Sequence, residues 1–299
     1  MQHLAVMLQS VLVNLSPDRT LAVHVVDGGM EQGHKRDLVK HWDPARVSLQ
    51  FLAAQPDTLA GLPLWGRMPV ATYYKLLVTE LLPATVSRAI WLDCDLVVTA
   101  DLARLWDTDT GGRHALAVQD RGVPFVSSSN GVSHYQRLGL PADAEYFNAG
   151  VMLVDLDLWR RDGIPARAIE YLLRHRDTVV FWDQEALNAV LAGKWGVLDP
   201  RWNHIANPRG ARSGDVDGGP WIFHFTGSLK PWAYPSADPS HALYYQYLDQ
   251  TAWAGWRPKR SLAGALIATY QSSRLRNVLY PTEEWLMGLL RSLTRKYAA

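Results

Sequence analysis

The chain has 299 residues, 48% of them hydrophobic and 20% charged, a globular composition long enough for one large or two ordinary domains with a sizeable core. A formal net charge of +1 provides no field to draw nucleic acid, and a single cysteine excludes an internal disulfide and fits a reducing compartment. No apolar run reaches the length that spans a bilayer.

The opening stretch MQHLAVMLQSVLVNLSPD has no basic leader, and Gln2, His3 and Gln9 interrupt it, so it does not read as a signal peptide. Leu4, Met7, Leu8, Val11 and Leu12 recur at helical spacing and predict an amphipathic helix that ends at Ser16-Pro17-Asp18. LAVHVVD (21–27) predicts a strand closed by Gly28-Gly29, and a polar helix follows to about His41. VSLQFL (47–52) reads as a strand, and VATYYKLLVTELLP (70–83) as a helix stopped by Pro83. Further strands are AIWL (89–92), HALAVQD (114–120), FNAGVMLVDL (147–156), WGVLD (195–199) and WIFHF (221–225), with helices near 164–176 and 183–192. This alternation predicts an α/β domain over residues 1–255 with a mostly parallel central sheet and ligand sites at the carboxyl ends of strands. Asp27, Asp93, Asp95 and Asp120 stand at such ends. The loop NPRGARSGDVDGGP (207–220) reads as a lid or as a solvated loop.

Asp93-Cys94-Asp95 closes a buried strand, where an uncompensated carboxylate costs several kcal/mol. An Asp-x-Asp pair occurs often by chance and can serve as a cap or turn, but here strand alternation puts both acids on one face and Cys94 on the other. Two carboxylates on one face repel unless a cation lies between them, and hard oxygen ligands select Mg²⁺ or Mn²⁺. A cation so held keeps coordination sites for a diphosphate. In IFHFTGSLKPW (222–232), His224 lies inside an apolar strand, where a lone histidine is usually a satisfied core residue. Gly227 and Lys230 follow it at once: the glycine permits close backbone approach and the lysine suits phosphate. A nitrogen ligand beside two carboxylates tilts the preference toward Mn²⁺.

WLDCD (91–95), YFNAGVMLVDLDLWRR (146–161), WDQEALNAVL (182–191) and HFTGSLKPW (224–232) together resemble glycosyltransferase family 8, which includes glycogenin and the bacterial lipopolysaccharide galactosyl- and glucosyltransferases. The resemblance covers roughly residues 1–235. It implies a single nucleotide-diphospho-sugar transferase domain of the GT-A type that uses Mn²⁺ and moves a hexose from a UDP-sugar to a saccharide acceptor with retention at the anomeric carbon. By position it implies that Asp93, Asp95 and His224 are metal ligands and that Gly227 and Lys230 contact the diphosphate. Asn148 and Ala149 would line the donor sugar. Asp183 would bind sugar hydroxyls, Gln184 would lie beneath the anomeric carbon, and Asp120 would lie near donor and acceptor sugars. Lys75 falls where the family usually has an arginine near the phosphates and sugar.

The plainer readings are that Asn148 sits in a core strand, that Asp183 is a helix N-cap, that Gln184 is solvated on a first helical turn and that Asp120 is a turn residue. The tryptophans at 232, 253 and 256 read as packing before they read as sugar platforms. Two other functions stay open: a nucleotidyltransferase on a similar sheet, and a relative that binds sugar nucleotides or glycans without catalysis.

From Arg257 on, eight basic residues (Arg257, Lys259, Arg260, Arg274, Arg276, Arg291, Arg295, Lys296) face two acids (Glu283, Glu284), and Leu286, Leu289, Leu290 and Leu293 share a helical face beside Trp285. Residues 256–299 therefore predict a basic amphipathic tail that either docks on the domain or contacts an anionic membrane surface peripherally, at the inner face of the cytoplasmic membrane. Family members also open with a strand, ending in an acid and a tyrosine or asparagine, that contacts uracil and ribose. MQHLAVMLQSV matches the helix after it, so the resemblance implies that Met1 is an internal methionine preceded by about ten to twenty residues in the natural protein. The rival expectation is that Met1 is genuine and nucleotide binding is weakened, with Asp27 the only early acid near the uridine.

Overall fold

A computed structural model describes residues 1–40, 42–54, 56–64, 69–205, 218–227, 230–233, 235 and 238–259. The predicted lid loop, apart from residues 218–220, and the tail beyond Lys259 lie outside the described residues.

Helix α1 (Gln2–Asn14) buries Met7, Leu8 and Val11 of the predicted face together with Ala5 and Val6, while Leu4 and Leu12 are half-buried. Strand β1 (Leu21–Asp27) pairs in parallel with β2 (Val47–Ala53), Leu21 opposite Val47, with α2 (Gln32–Val39) as the crossover. The helix predicted over 70–83 is instead a 3₁₀ helix, Val70–Leu77, running into one α-turn, α3 (Val78–Leu81). Val70, Thr72, Tyr73 and Tyr74 are β-branched or aromatic and lose side-chain freedom in an α-helix, which weakens the α preference of this segment.

Strand β3 (Arg88–Leu92), β5 (Ala115–Gln119), β6 (Phe147–Asp155) and β7 (Trp195–Val197) form the central sheet in the order β3-β6-β5-β7. Strand β6 is buried from Phe147 to Val154, as a central strand with an apolar run should be. It runs antiparallel to both β3 and β5, whereas β5 and β7 are parallel. The sheet is thus mixed rather than mostly parallel: β3, β5 and β7 share one direction and β6 is inserted against them. Burial on both faces gives β6 the continuous hydrophobic run of a parallel strand, so direction was not encoded in its pattern.

A second sheet, β4-β9-β8, is built from three short strands: β4 (Leu96–Val98), β8 (His204–Ile205) and β9 (Ile222–His224). Short helices α4 (Ala103–Trp106) and α5 (Leu156–Arg161) and longer ones α6 (Ile164–Arg174), α7 (Trp182–Leu191) and α8 (Pro239–Leu248) complete the described fold. Helix α1 is tied to β4 by Ser10, whose Oγ accepts from Val98 N at 2.9 Å, and by Asn14, whose Nδ2 donates to Val98 O at 3.0 Å. Trp232, Trp253 and Trp256 pack on the cluster of Val6, Val97, Phe225 and Tyr244, so in this fold they are packing residues. Arg257, the first basic residue of the tail, pairs with Asp249 at 2.6 Å and covers the Tyr245 ring.

Among the described residues β1 bonds only to β2, and β3 only to β6. Both strands, together with Met1, Leu4, Met7, Leu8 and Val11 of α1, line one long cavity of about 2560 Å³. Its other end holds the acids described next. No described helix is long and apolar enough to cross a membrane.

Candidate functional site

Asp93 and Asp95 occupy the turn between β3 and β4 rather than a strand, so alternation is not what brings them together. The ladders do it. Asp93 N donates to Gly150 O at 2.9 Å, which extends the β3–β6 pairing by one residue, and Phe225 N donates to Asp95 O at 3.0 Å, which extends β4–β9. The β4–β9 register sets Leu96 opposite His224. One ligand atom from each of Asp93, Asp95 and His224 therefore falls within 4.8 Å of the others. His224 Nε2 is 3.4 Å from Asp95 Oδ1, and its Nδ1 is 2.9 Å from Asn203 Oδ1. Two carboxylates and one imidazole nitrogen fit a divalent cation of the Mn²⁺ or Mg²⁺ kind.

Gly150 makes this corner possible. A Cβ there would stand 2.2 Å from His224 Cε1, so only glycine lets the ring lie against β6. Lys230 ion-pairs with Asp95. Burial works against ionisation of Asp95, but the His224 ring and the Lys230 ammonium outweigh it and hold the carboxyl well below the usual range. Gly227, with φ of 67°, turns the chain between His224 and Lys230, and both Gly227 and Lys230 line the cavity.

Deeper in the cavity wall, Lys75 is 5% exposed, so its ammonium needs partners. It lies 2.7 Å from Asp183 Oδ2 and 3.4 Å from Asp93 Oδ1, and it donates to Ala149 O at 3.1 Å. Burial lowers its proton affinity, yet the two acids outweigh that and keep it charged. Asp183 also accepts from Thr72 Oγ1 at 3.0 Å. It is not the N-cap of α7: Phe181 holds that position, and the Asp183 carboxylate turns inward to Lys75. Trp182, between them, has φ of 41°. A left-handed non-glycine residue costs about 1–2 kcal/mol. The buried Glu185 holds this turn by accepting from Val180 N at 2.7 Å, Ser133 N at 2.8 Å and Tyr171 Oη at 2.8 Å.

The third group has no cation. The β5–β6 register shifts between Ala117, opposite Met152, and Val118, opposite Asn148, so residues 149–151 bulge from the ladder. The bulge frees Ala149 N, which donates to Gln184 Oε1 at 3.1 Å. Gln184 Nε2 and Asn148 Nδ2 each donate to Asp120 Oδ2 at 3.1 Å, while Asp120 Oδ1 accepts from Gly122 N at 2.8 Å and Val123 N at 3.1 Å. Gln184 is thus a bonded wall residue and not a solvated one, and Asn148 joins the cavity network. Asp120 combines a turn role through Oδ1 with a cavity-facing network through Oδ2.

Asp27 stands apart: its Oδ1 accepts from Gly29 N at 2.8 Å and Met30 N at 2.6 Å, and its other oxygen pairs with Lys35, so the carboxylate is engaged by its own turn. Asn203, at the end of the 3₁₀ helix Pro200–Asn203, belongs to the site although nothing in the sequence singled it out. Its Nδ2 donates to Asn148 Oδ1 at 2.9 Å. A buried asparagine three residues after a proline is a weak signal, and only the strand pairing shows what it meets.

Residues 1–235 match the sequence model described as Glycosyl transferase family 8. The chain is 29% identical over 266 residues to General stress protein A of Bacillus subtilis, spanning 84% of this chain and 90% of that protein. It is 24% identical over 250 residues to the lipopolysaccharide 1,2-glucosyltransferase of Escherichia coli, spanning 80% of this chain and 72% of that protein. The galactosyltransferase LgtC, crystallised with donor and acceptor sugar analogues, superposes with a TM-score of 0.72 at 26% identity, over 84% of this chain and 92% of that one. An active-site mutant of LgtC that carries glutamate for glutamine superposes equally well, at 25% identity. The architecture is that of a GT-A glycosyltransferase.

Proposed function

The chain belongs to glycosyltransferase family 8, and on that premise we propose that it moves a hexose from a UDP-sugar to a glycan or lipid-linked saccharide, with retention and with Mn²⁺ or Mg²⁺ as cofactor. One observation carries this reading: Asp93, Asp95 and His224 converge at one end of a cavity whose adjoining wall is Lys75, Asp120, Asn148, Asp183 and Gln184. That cavity, which also extends along α1, β1 and β3, has a volume of about 2560 Å³ and exceeds the roughly 300–1,000 Å³ of an ordinary small-molecule pocket.

Asp93, Asp95 and His224 would hold the cation, which when bound supplies positive charge to the diphosphate leaving group. Lys230 and the turn at Gly227 add an ammonium and an approachable backbone to the same group. Asp183, paired with Lys75 at 2.7 Å, orients sugar hydroxyls beside Asn148 and Ala149. Gln184 lies beneath the anomeric carbon, and a neutral amide bonded at both ends, to Ala149 N and Asp120, is a poor nucleophile. Attack by the acceptor hydroxyl on the face the leaving group departs from fits such a floor. The acceptor oxygen–carbon bond forms, the carbon–phosphate oxygen bond breaks, and the hydroxyl proton passes to the departing phosphate oxygen. Asp120, held only by neutral donors, is placed to orient the acceptor.

The family's lipopolysaccharide enzymes suit a saccharide on a lipid, and the basic tail, residues 257–299, suits peripheral contact with an anionic membrane on the cytoplasmic side. Sedimentation with anionic vesicles, with and without residues 257–299, tests that contact; equal sedimentation would end it. The reaction is tested by following UDP release from UDP-glucose, UDP-galactose and their N-acetyl forms with Mn²⁺, with EDTA, and in Asp95→Asn. Release that survives both EDTA and Asp95→Asn would overturn the cation reading, and no release from any donor would overturn the transfer reading.

A further inference from the structure

We infer that Asn203 is a positioning residue that sets the orientation of His224 as the last link of one directed chain of hydrogen bonds that begins at Asp120. This rests on the reading of Asp93, Asp95 and His224 as a cation site. The chain starts at Asp120, whose ionised Oδ2 can only accept, so the Asn148 group facing it at 3.1 Å must be the NH₂. Gly150 N–H, which can only donate, fixes the other end: it meets Asn148 Oδ1 at 3.0 Å. With Asn148 Oδ1 thus an acceptor, the Asn203 group facing it at 2.9 Å must be Nδ2, and Asn203 Oδ1 is left to face His224 Nδ1 at 2.9 Å. An oxygen there requires a proton on Nδ1. The lone pair of the neutral ring is then on Nε2, the atom that lies 3.4 Å from Asp95 Oδ1.

Each link is largely buried: Asp120 is 7% exposed, Asn148 7%, Asn203 4% and His224 4%, which strengthens the bonds between them. Neither amide can flip without opposing two acceptors or two donors. Gly150 adds the steric half of the device, because its missing Cβ is the space the ring fills. Asn203 touches neither carboxylate of the cluster in any bond described here. Its influence on a bound cation therefore runs through the tautomer and plane of one imidazole, and partners of that kind typically alter metal affinity 10–100-fold when removed.

The test compares Asn203→Ala with Asn203→Asp. The aspartate keeps an oxygen for His224 Nδ1–H but offers an acceptor to Asn148 Oδ1. Long-range ¹H–¹⁵N spectra of histidine-labelled, metal-free protein report the tautomer, with His224→Gln assigning the signal, and Mn²⁺ titration followed by electron paramagnetic resonance reports affinity. Circular dichroism confirms that each variant is folded. The expected result is an Nδ1–H tautomer in the unsubstituted protein and in Asn203→Asp, and a mixture of tautomers in Asn203→Ala with Mn²⁺ affinity reduced at least 10-fold. An Asn203→Ala protein with the original tautomer and affinity would overturn the inference. If the unsubstituted protein binds no Mn²⁺ while the tautomer pattern holds, the cation reading falls and the positioning role stands.

Discussion

Asp183 and Asp120 face the same cavity at 5% and 7% exposure, yet the protein meets their charge in opposite ways. Asp183 has an ammonium at 2.7 Å and Asp120 has four neutral N–H donors, two from backbone and two from amide side chains. An ion pair in a buried site holds both partners charged and costs heavily when split. A ring of neutral donors stabilises a carboxylate without neutralising it, so that acid keeps a net field toward the cavity. Asp183 is therefore clamped, and Asp120 still attracts a hydroxyl or a developing positive charge.

Lys75→Met should break this contrast most severely. It leaves Asp183 and Asp93 in a buried site without their cation, and removal of one member of a buried pair costs about 3–5 kcal/mol. Chemical denaturation measures this, and a loss below 1 kcal/mol would show the pair to be dispensable. Glu185→Gln comes next. Glu185 is fully buried and, like Asp120, is held by neutral donors, but here they are Val180 N in the turn before Asp183, Ser133 N and the Tyr171 hydroxyl. An amide NH₂ in that ring opposes a donor, and an unsatisfied buried group costs about 1–3 kcal/mol. The same variant should raise the donor KM, because the strained Trp182 turn loses its anchor; steady-state kinetics on the folded fraction checks this.

Asp120→Asn should cost about 1 kcal/mol in stability, since no ion pair is split, while transfer falls roughly 100-fold through loss of the field. A variant as unstable as Lys75→Met would erase the distinction between the two acids. At neutral pH the smallest effect is expected at His3, which stacks on Trp232 and bonds Tyr244 Oη at 2.9 Å. Burial, then the amino terminus and Lys230, lowers its pKa from 6.5 to about 4. A depressed folded pKa means that the unfolded chain takes up the proton first. Stability from this source is complete above pH 6.5 and is lost as pH falls from 6.5 to 4. His3→Phe keeps the stack and should flatten that part of a melting-temperature profile; an unchanged acid limb would assign it to other groups.

The parts of this site that could be read from sequence are those where a residue breaks its local pattern. Two acids closing an apolar run and a histidine inside one are conspicuous in the sequence; the structure buries His224, leaves β3, Asp93 and Asp95 half-buried rather than buried, and brings the three side chains together. Strand β1 was predicted with its observed ends because seven residues of β-forming sequence finish at two glycines. What escaped reading depended on pairing. Leu96–Val98 is too short to register as a strand beside Asp95, yet its register against β9 is what delivers His224. The reversed direction of β6 left no mark on a run buried on both faces. Asn203 is an ordinary asparagine in a polar segment until β8 sets it beside β9. Gln184, Asn148 and Asp120 were identified through family resemblance, and their mutual bonding depends on a bulge that the sequence marks only by Gly150.

The missing Cβ of Gly150 also sets how this corner tolerates change. A methyl group there would stand 2.2 Å from Cε1 and 2.8 Å from Nδ1 of His224, and 3.1 Å from Asn148 Oδ1. Alanine at 150 would therefore act as a wedge between two strands of different sheets, pushing the imidazole off Asn203 while the β3–β6 ladder keeps its hydrogen bonds.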